Sequence, residues 1–199
     1  MEKKLKKGDY LDIILRSPQT VFTTEDVCLL WGETNRKIIT ARLNKYEKIG
    51  KLVRAHRGIY AKDSQYDRFE LATRIYTPSY ISFETVLTRA GINFQYYETI
   101  FVASYVSRTL KINGQNIEFV RMKDYVLCNT TGIESAGGYS IATKERAFLD
   151  RIYISKDYHF DHLDVLDWGK VFGIIPIYRN KRMEGKVKEY FEYYKSTEK

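Results

Sequence analysis

Hydrophobic period changes sharply within the first third of this sequence, and that change limits the folds open to it. Up to Lys48 the apolar residues recur at helical spacing; from Leu52 they alternate about a glycine turn. Asp9 to Arg16 predicts a first helix with Leu11, Ile14 and Leu15 as its stripe, stopped near Ser17-Pro18 because a residue before proline avoids helical backbone. Thr23 is placed to cap a second helix, with Glu25 and Asp26 in its first turn, Leu29, Leu30 and Trp31 continuing its apolar face, and Gly32 ending it. A short Glu33-Thr34-Asn35 turn leads to a third helix from about Arg36 to Lys48, striped by Ile39, Leu43 and Tyr46 and ended by Gly50. Leu52 to His56 and Ile59 to Ala61 then predict two strands about Arg57-Gly58. Three helices and a hairpin, with a glycine-containing turn between the second and third helices, predict a winged helix-turn-helix over residues 1–62.

Asp63-Ser64-Gln65 is polar and sets the expected domain boundary, with a second domain over residues 66–199. That region predicts mixed elements: helices over 66–76 and 82–90 separated by Pro78, then strands at Ile100 to Tyr105 and Thr109 to Ile112. Asn113-Gly114 marks a hairpin turn before the alternating strand Ile117 to Arg121. Thr143 caps a helix through about Tyr153, and an amphipathic helix is expected from about Glu184 to Tyr194. The expected fold class is α+β: an N-terminal winged helix-turn-helix followed by a mixed α+β C-terminal domain.

Charge separates the two regions. Residues 1–62 carry 14 Lys/Arg against 7 Asp/Glu, a net of +7, whereas residues 63–199 carry 19 against 18, a net of +1. A compact basic module joined to a nearly neutral one points to a polyanionic partner for the first. With 44% hydrophobic and 29% charged residues in a chain of 199, a buried core is within reach and disorder is excluded. No apolar run approaches the roughly 20 residues of a membrane span. The basic start Met1 to Lys7 has no apolar core or cleavage site after it, so a soluble cytoplasmic protein with no membrane partner is expected. Cys28 and Cys128 are too few and too far apart for a disulfide framework or a four-cysteine zinc site; both are expected to be reduced, with Cys28 a small buried hydrophobe.

The third helix carries the strongest site candidates. With Ile39, Leu43 and Tyr46 inward, Lys37, Thr40, Ala41, Asn44 and Lys48 point outward, flanked by Arg36 and Lys45. That face combines cations for phosphates with short polar groups for base edges in double-stranded DNA. Thr34, Asn35, Arg36, Lys37, Thr40 and Ala41 are the expected base-reading segment, and Lys45 and Lys48 the expected phosphate contacts. Arg42 is expected to lay its stem over apolar neighbours. In the hairpin, Arg54, His56 and Arg57 surround Gly58 and form a tip suited to a backbone or minor groove. The competing reading is a protein-interaction module whose charges are merely solvated.

Elsewhere the chemistry is sparse. Asp157-Tyr158-His159-Phe160-Asp161-His162 gathers two histidines and two carboxylates, but its spacing matches no zinc or calcium loop. A metal-dependent nucleic-acid enzyme using such groups is the alternative to pure binding. Glu118 and Lys123 lack a paired second acid, Gly137-Gly138-Tyr139-Ser140 lacks the surroundings of a nucleophile elbow, and no phosphate-binding glycine loop occurs. No enzyme activity, no metal and no cofactor are expected. Among the 17 tyrosines, Tyr96-Tyr97, Tyr178 and Tyr193-Tyr194 are candidates for an exposed protein-binding surface. Residues 179–199 hold 7 basic against 4 acidic side chains, most simply a solvated helix face.

The order of these parts resembles the AbiEi family, the antitoxin component of type IV toxin–antitoxin systems. The resemblance runs over roughly residues 10 to 155. It is carried by Leu52-Val53-Arg54-Ala55-His56-Arg57-Gly58-Ile59-Tyr60, by Tyr80-Ile81-Ser82-Phe83-Glu84-Thr85-Val86-Leu87 with Gly91-Ile92, and by the strand pair about Asn113-Gly114 with Ile117-Glu118-Phe119. Ile141-Ala142-Thr143-Lys144-Glu145-Arg146-Ala147-Phe148-Leu149-Asp150 completes it. The resemblance implies a regulator that represses the operon shared with its toxin by binding inverted repeats in the promoter. It also implies that the C-terminal domain counteracts a nucleotidyltransferase-like toxin. Carried over by position, the DNA-contacting segment is Thr34 to Lys48 with the hairpin at Arg54 to Arg57; no residues for toxin neutralisation follow. The final forty or so residues lie outside the resemblance.

Overall fold

The computed structural model describes residues 8–155 and 157–197, so the basic start over residues 1–7 lies outside the described residues. The chain is mixed α+β with two sheets and divides into two compact units, Met1–Ile75 and Tyr76–Lys199.

In the first unit, α1 (Asp9–Arg16), β1 (Val21–Thr23), α2 (Thr24–Trp31), α3 (Arg36–Lys48), β2 (Val53–His56), β3 (Ile59–Ala61) and α4 (Arg68–Ile75) follow in order. The α2 start is fixed by a reciprocal cap: Thr23 Oγ1 accepts from the Asp26 amide, and the Asp26 carboxylate accepts from the Thr23 amide. Gly32, left-handed at φ 61°, closes that helix. Ile14, Phe22, Val27, Trp31, Ile39, Leu43, Leu52 and Tyr60 meet in one core. Cys28 is half-buried against this core rather than enclosed in it.

The strand β1 was not expected from the sequence, because three residues are too few to display an alternating pattern. It pairs antiparallel with β3, Val21 opposite Ala61 and Thr23 opposite Ile59, and makes a three-stranded sheet in the order β1-β3-β2. Helix α4 is bonded to this unit through two acid contacts. Glu70 accepts from the Thr20 amide at 2.8 Å and from its hydroxyl at 2.6 Å. Arg74 reaches the capping carboxylate of Asp26 at 2.5 Å.

The second unit contains β4 (Ser79–Ile81), α5 (Glu84–Arg89), β5 (Ile100–Ser104), β6 (Arg108–Ile112), β7 (Gln115–Arg121) and α6 (Asp124–Leu127). It continues with β8 (Ile133–Ala136), β9 (Tyr139–Ala142), α7 (Lys144–Ile154), α8 (Trp168–Ile174), a 3-10 turn (Ile175–Tyr178) and α9 (Lys181–Thr197). Its six-stranded sheet has the order β6-β7-β5-β4-β9-β8, with β5/β7 and β4/β9 parallel and the remaining pairs antiparallel. Asn113 and Gly114 both have positive φ, 48° and 83°, as the twist of a two-residue hairpin requires. Gly137-Gly138 forms the turn that joins β8 to β9.

Charge is buried at the centre of this unit. Arg146 and Asp150, one turn apart on α7, have fully buried side chains and meet at 3.2 Å. Asp150 also accepts from the hydroxyls of Tyr80 (3.0 Å), Ser82 (2.8 Å) and Tyr178 (2.7 Å). Arg146 donates to the carbonyls of Val126 and Thr131, each at 2.8 Å. Burial pushes the Asp150 carboxyl up, against the opposing pull of Arg146 and the three hydroxyls. Phe148, on the same helix, packs with Phe160 and Tyr190, the ring centroids 4.7 to 5.8 Å apart. Among the described residues, no helix is long and apolar enough to cross a membrane.

Candidate nucleic-acid interface

Helix α3 owes its start to Asn35, whose Oδ1 accepts from the Lys37 amide at 3.1 Å while its own amide donates to Glu33 Oε1 at 2.9 Å. Asn35 is thus a helix cap, its carbonyl oxygen already in use. Ile39 and Leu43 are completely buried and fix the roll of the helix. Lys37, Thr40, Ala41, Lys45 and Lys48 are exposed in consequence, and Thr34, in the turn before the helix, is exposed as well. Arg36 is exposed too, but its guanidinium meets Glu25 of α2 at 2.7 Å; both partners are well solvated, so the pair adds little stability. Arg42 places its guanidinium 3.9 Å above the centre of the Tyr10 ring, so its charged end, rather than the stem the sequence pointed to, ties α3 to α1.

Asn44 is only half-exposed: its Oδ1 accepts a 2.7 Å hydrogen bond from the Tyr60 hydroxyl on β3. Burial raises the Tyr60 phenol, with Arg54 pulling the other way, so the hydroxyl stays a donor. The hairpin is held at its other end by α2. The Thr24 amide and hydroxyl both donate to the Gly58 carbonyl, at 3.2 and 3.3 Å. Gly58 turns with φ 73°, and the register of β2 on β3 slips between Arg54 and His56. Arg54 and Arg57 emerge exposed and His56 half-buried. Among the described residues, Lys37, Lys45, Lys48, Arg54 and Arg57 take no part in an ion pair, which leaves five cations on one helix and the adjoining hairpin.

Ile38 stands among these cations, 39% exposed on α3. Ile38 lies within the segment Thr34 to Lys48 that the sequence offers to DNA, and its helical phase puts it outside the stripe formed by Ile39, Leu43 and Tyr46.

The acidic and histidine segment at 157–162 serves the backbone of its own unit. The Asp161 and His162 amides both donate to the Ile92 carbonyl at 3.0 Å, and the Asp161 carboxylate accepts from the Phe94 amide at 2.8 Å. His159 lies 3.6 Å from Asp161, whereas His162 turns to Asp164 at 3.4 Å and rests edge-on against Phe94. Among the described residues, no three of His, Cys, Asp or Glu come together as metal ligands would. Of the tyrosines picked out as surface candidates, Tyr96 and Tyr193 are exposed. Tyr178 is not: it is 1% exposed, because its hydroxyl is drawn to Asp150. Compared with known proteins, the chain matches no family model and no curated protein.

Proposed function

We propose that the chain is a DNA-binding regulator whose first unit is a winged helix-turn-helix, with α3 as the recognition helix and the β2–β3 hairpin as the wing. The observation that carries this reading is the set of five exposed cations free of ion pairs, Lys37, Lys45, Lys48, Arg54 and Arg57, on that helix and hairpin. The order helix, strand, helix, helix, hairpin supports it, as does the concentration of the chain's net charge in residues 1–62. Lys37 and its neighbours at the start of α3 meet base edges, while Lys45, Lys48, Arg54 and Arg57 neutralise phosphates. Asn44 and Asn35, engaged by Tyr60 and by the helix start, act by positioning α3.

The AbiEi resemblance extends this reading to a cytoplasmic autorepressor and antitoxin, non-catalytic, whose second unit counteracts a nucleotidyltransferase-like toxin. The test of the first role is a gel-shift titration against the chain's own upstream DNA, with unrelated competitor DNA and several salt concentrations. Sequence-specific binding that weakens with salt is expected, and each of Arg57→Ala and Lys48→Ala is expected to lower the salt slope by about one. Absence of specific binding at low salt overturns the regulator reading in favour of a protein-interaction module. The second role is tested by co-expression with a neighbouring nucleotidyltransferase-like gene, where growth is expected to be rescued by the full chain.

A further inference from the structure

Within the DNA-binding surface just proposed, one side chain is left over by both helix packing and phosphate contact. Ile38 is 39% exposed on α3, although its neighbour Ile39 is fully buried and already supplies the apolar anchor. A β-branched residue is a weaker helix former than Lys, Gln or Ala, so nothing in local propensity favours isoleucine at a solvated position. Ala41, one turn on, is exposed on the same flank, and Lys37 and Lys45 border the pair with cations. A surface made only to hold phosphates gains nothing from this apolar pair. The major-groove edges of the base pairs offer one apolar group, the 5-methyl of thymine.

We infer that Ile38, backed by Ala41, is a specificity-determining residue that covers a thymine 5-methyl group in the major groove. The inference rests on the DNA-binding reading and adds to it the base that the first turns of α3 select. Lys45 holds the backbone beside it and Lys37 meets a neighbouring base edge, while Ile38 excludes water from the methyl, so the preferred site carries thymine opposite this turn.

The test compares binding of the intact chain to its own upstream duplex with binding to duplexes in which each thymine in turn is replaced by uracil. That replacement deletes the methyl and keeps the pairing. Wild type is expected to lose about fourfold in affinity for each methyl it covers. Ile38→Ala, checked for an unchanged unfolding midpoint, is expected to bind the thymine and uracil duplexes equally, and Ile38→Val to recover part of the discrimination. Specific binding that is indifferent to uracil at every position overturns the inference and leaves the DNA-binding reading intact. So does a loss of affinity that Ile38→Ala shares in full, which belongs to the shape of the DNA. Failure to bind the upstream duplex specifically overturns the inference together with the reading beneath it.

Discussion

The Tyr60 hydroxyl donates a 2.7 Å hydrogen bond to Oδ1 of Asn44, joining the last strand of the first unit's hairpin to the exposed helix α3. Tyr60 is 2% exposed and Asn44 half-exposed, so the bond is part-buried. It fixes the angle between two elements that both carry cations.

Removing that hydroxyl in Tyr60→Phe is expected to cost about 0.5 to 1.5 kcal/mol in urea unfolding. Asn44→Ala made alone should cost a similar amount. The double variant should cost less than the sum, since the second substitution has no bond left to break. Strict additivity of the two losses would show that the contact does not form in solution.

The ion pair of Arg146 and Asp150 predicts a larger loss. Both side chains are fully buried, and Asp150 is the acceptor on which Tyr80, Ser82 and Tyr178 converge. Arg146→Met leaves the carboxylate without its cation and frees the carbonyls of Val126 and Thr131. Unpairing a buried charge costs about 3 to 5 kcal/mol. Urea unfolding of the full chain should show a loss of that size; a change below about 1 kcal/mol would mean that water reaches the pair.

Gly132 lies against the same arginine. With φ 75°, it occupies left-handed backbone, and a Cβ there would stand 2.9 Å from both Arg146 Cβ and Ile174 Cδ1. Gly137, at φ 60°, has nothing within 4 Å of the same position. Gly137→Ala should therefore cost only the backbone term, about 1 to 2 kcal/mol. Gly132→Ala should add an overpacking cost of about 1 to 3 kcal/mol. Thermal unfolding of the two variants side by side measures the difference, and equal midpoints would contradict the close approach at Gly132.

These contacts also mark where the sequence ceases to be legible. Helices α1 and α3 have the limits that the sequence indicates, Asp9–Arg16 and Arg36–Lys48, because Ser17-Pro18 stops the one and Asn35 caps the other locally. Leu15, expected in the α1 stripe, is instead 47% exposed, since the core takes only Ile14 fully. Strands β1 and β4, three residues each, take their conformation from partners far along the chain, Ala61 for Val21 and Val102 for Ile81. Helix α8 begins at Trp168 and is too short for a period to stand out. On α3, the stripe identifies the inward residues and, by subtraction, the exposed cations. It does not reveal that Asn44 is held by Tyr60, since that bond spans sixteen residues and depends on how the hairpin packs.

Tyrosine burial predicts the alkaline limit of the fold. Tyr80 and Tyr178 are 3% and 1% exposed, and burial lifts both phenols well above 10.0, with the Asp150 carboxylate adding to the rise. Burial also pushes Tyr153 up to about 12, and the Tyr125 hydroxyl beside it contributes. These phenols are neutral in folded and unfolded chains alike below about pH 10, where their contribution to stability is fully present. As pH rises further, the unfolded chain ionises first and is favoured, so the contribution is lost as the folded values are approached. A pH titration that follows phenolate absorbance and helical circular dichroism together should resolve two classes among the 17 tyrosines. The late class is expected to ionise as the dichroism disappears. Titration of every tyrosine near about pH 10 with the dichroism intact would contradict the buried placement of Tyr80 and Tyr178.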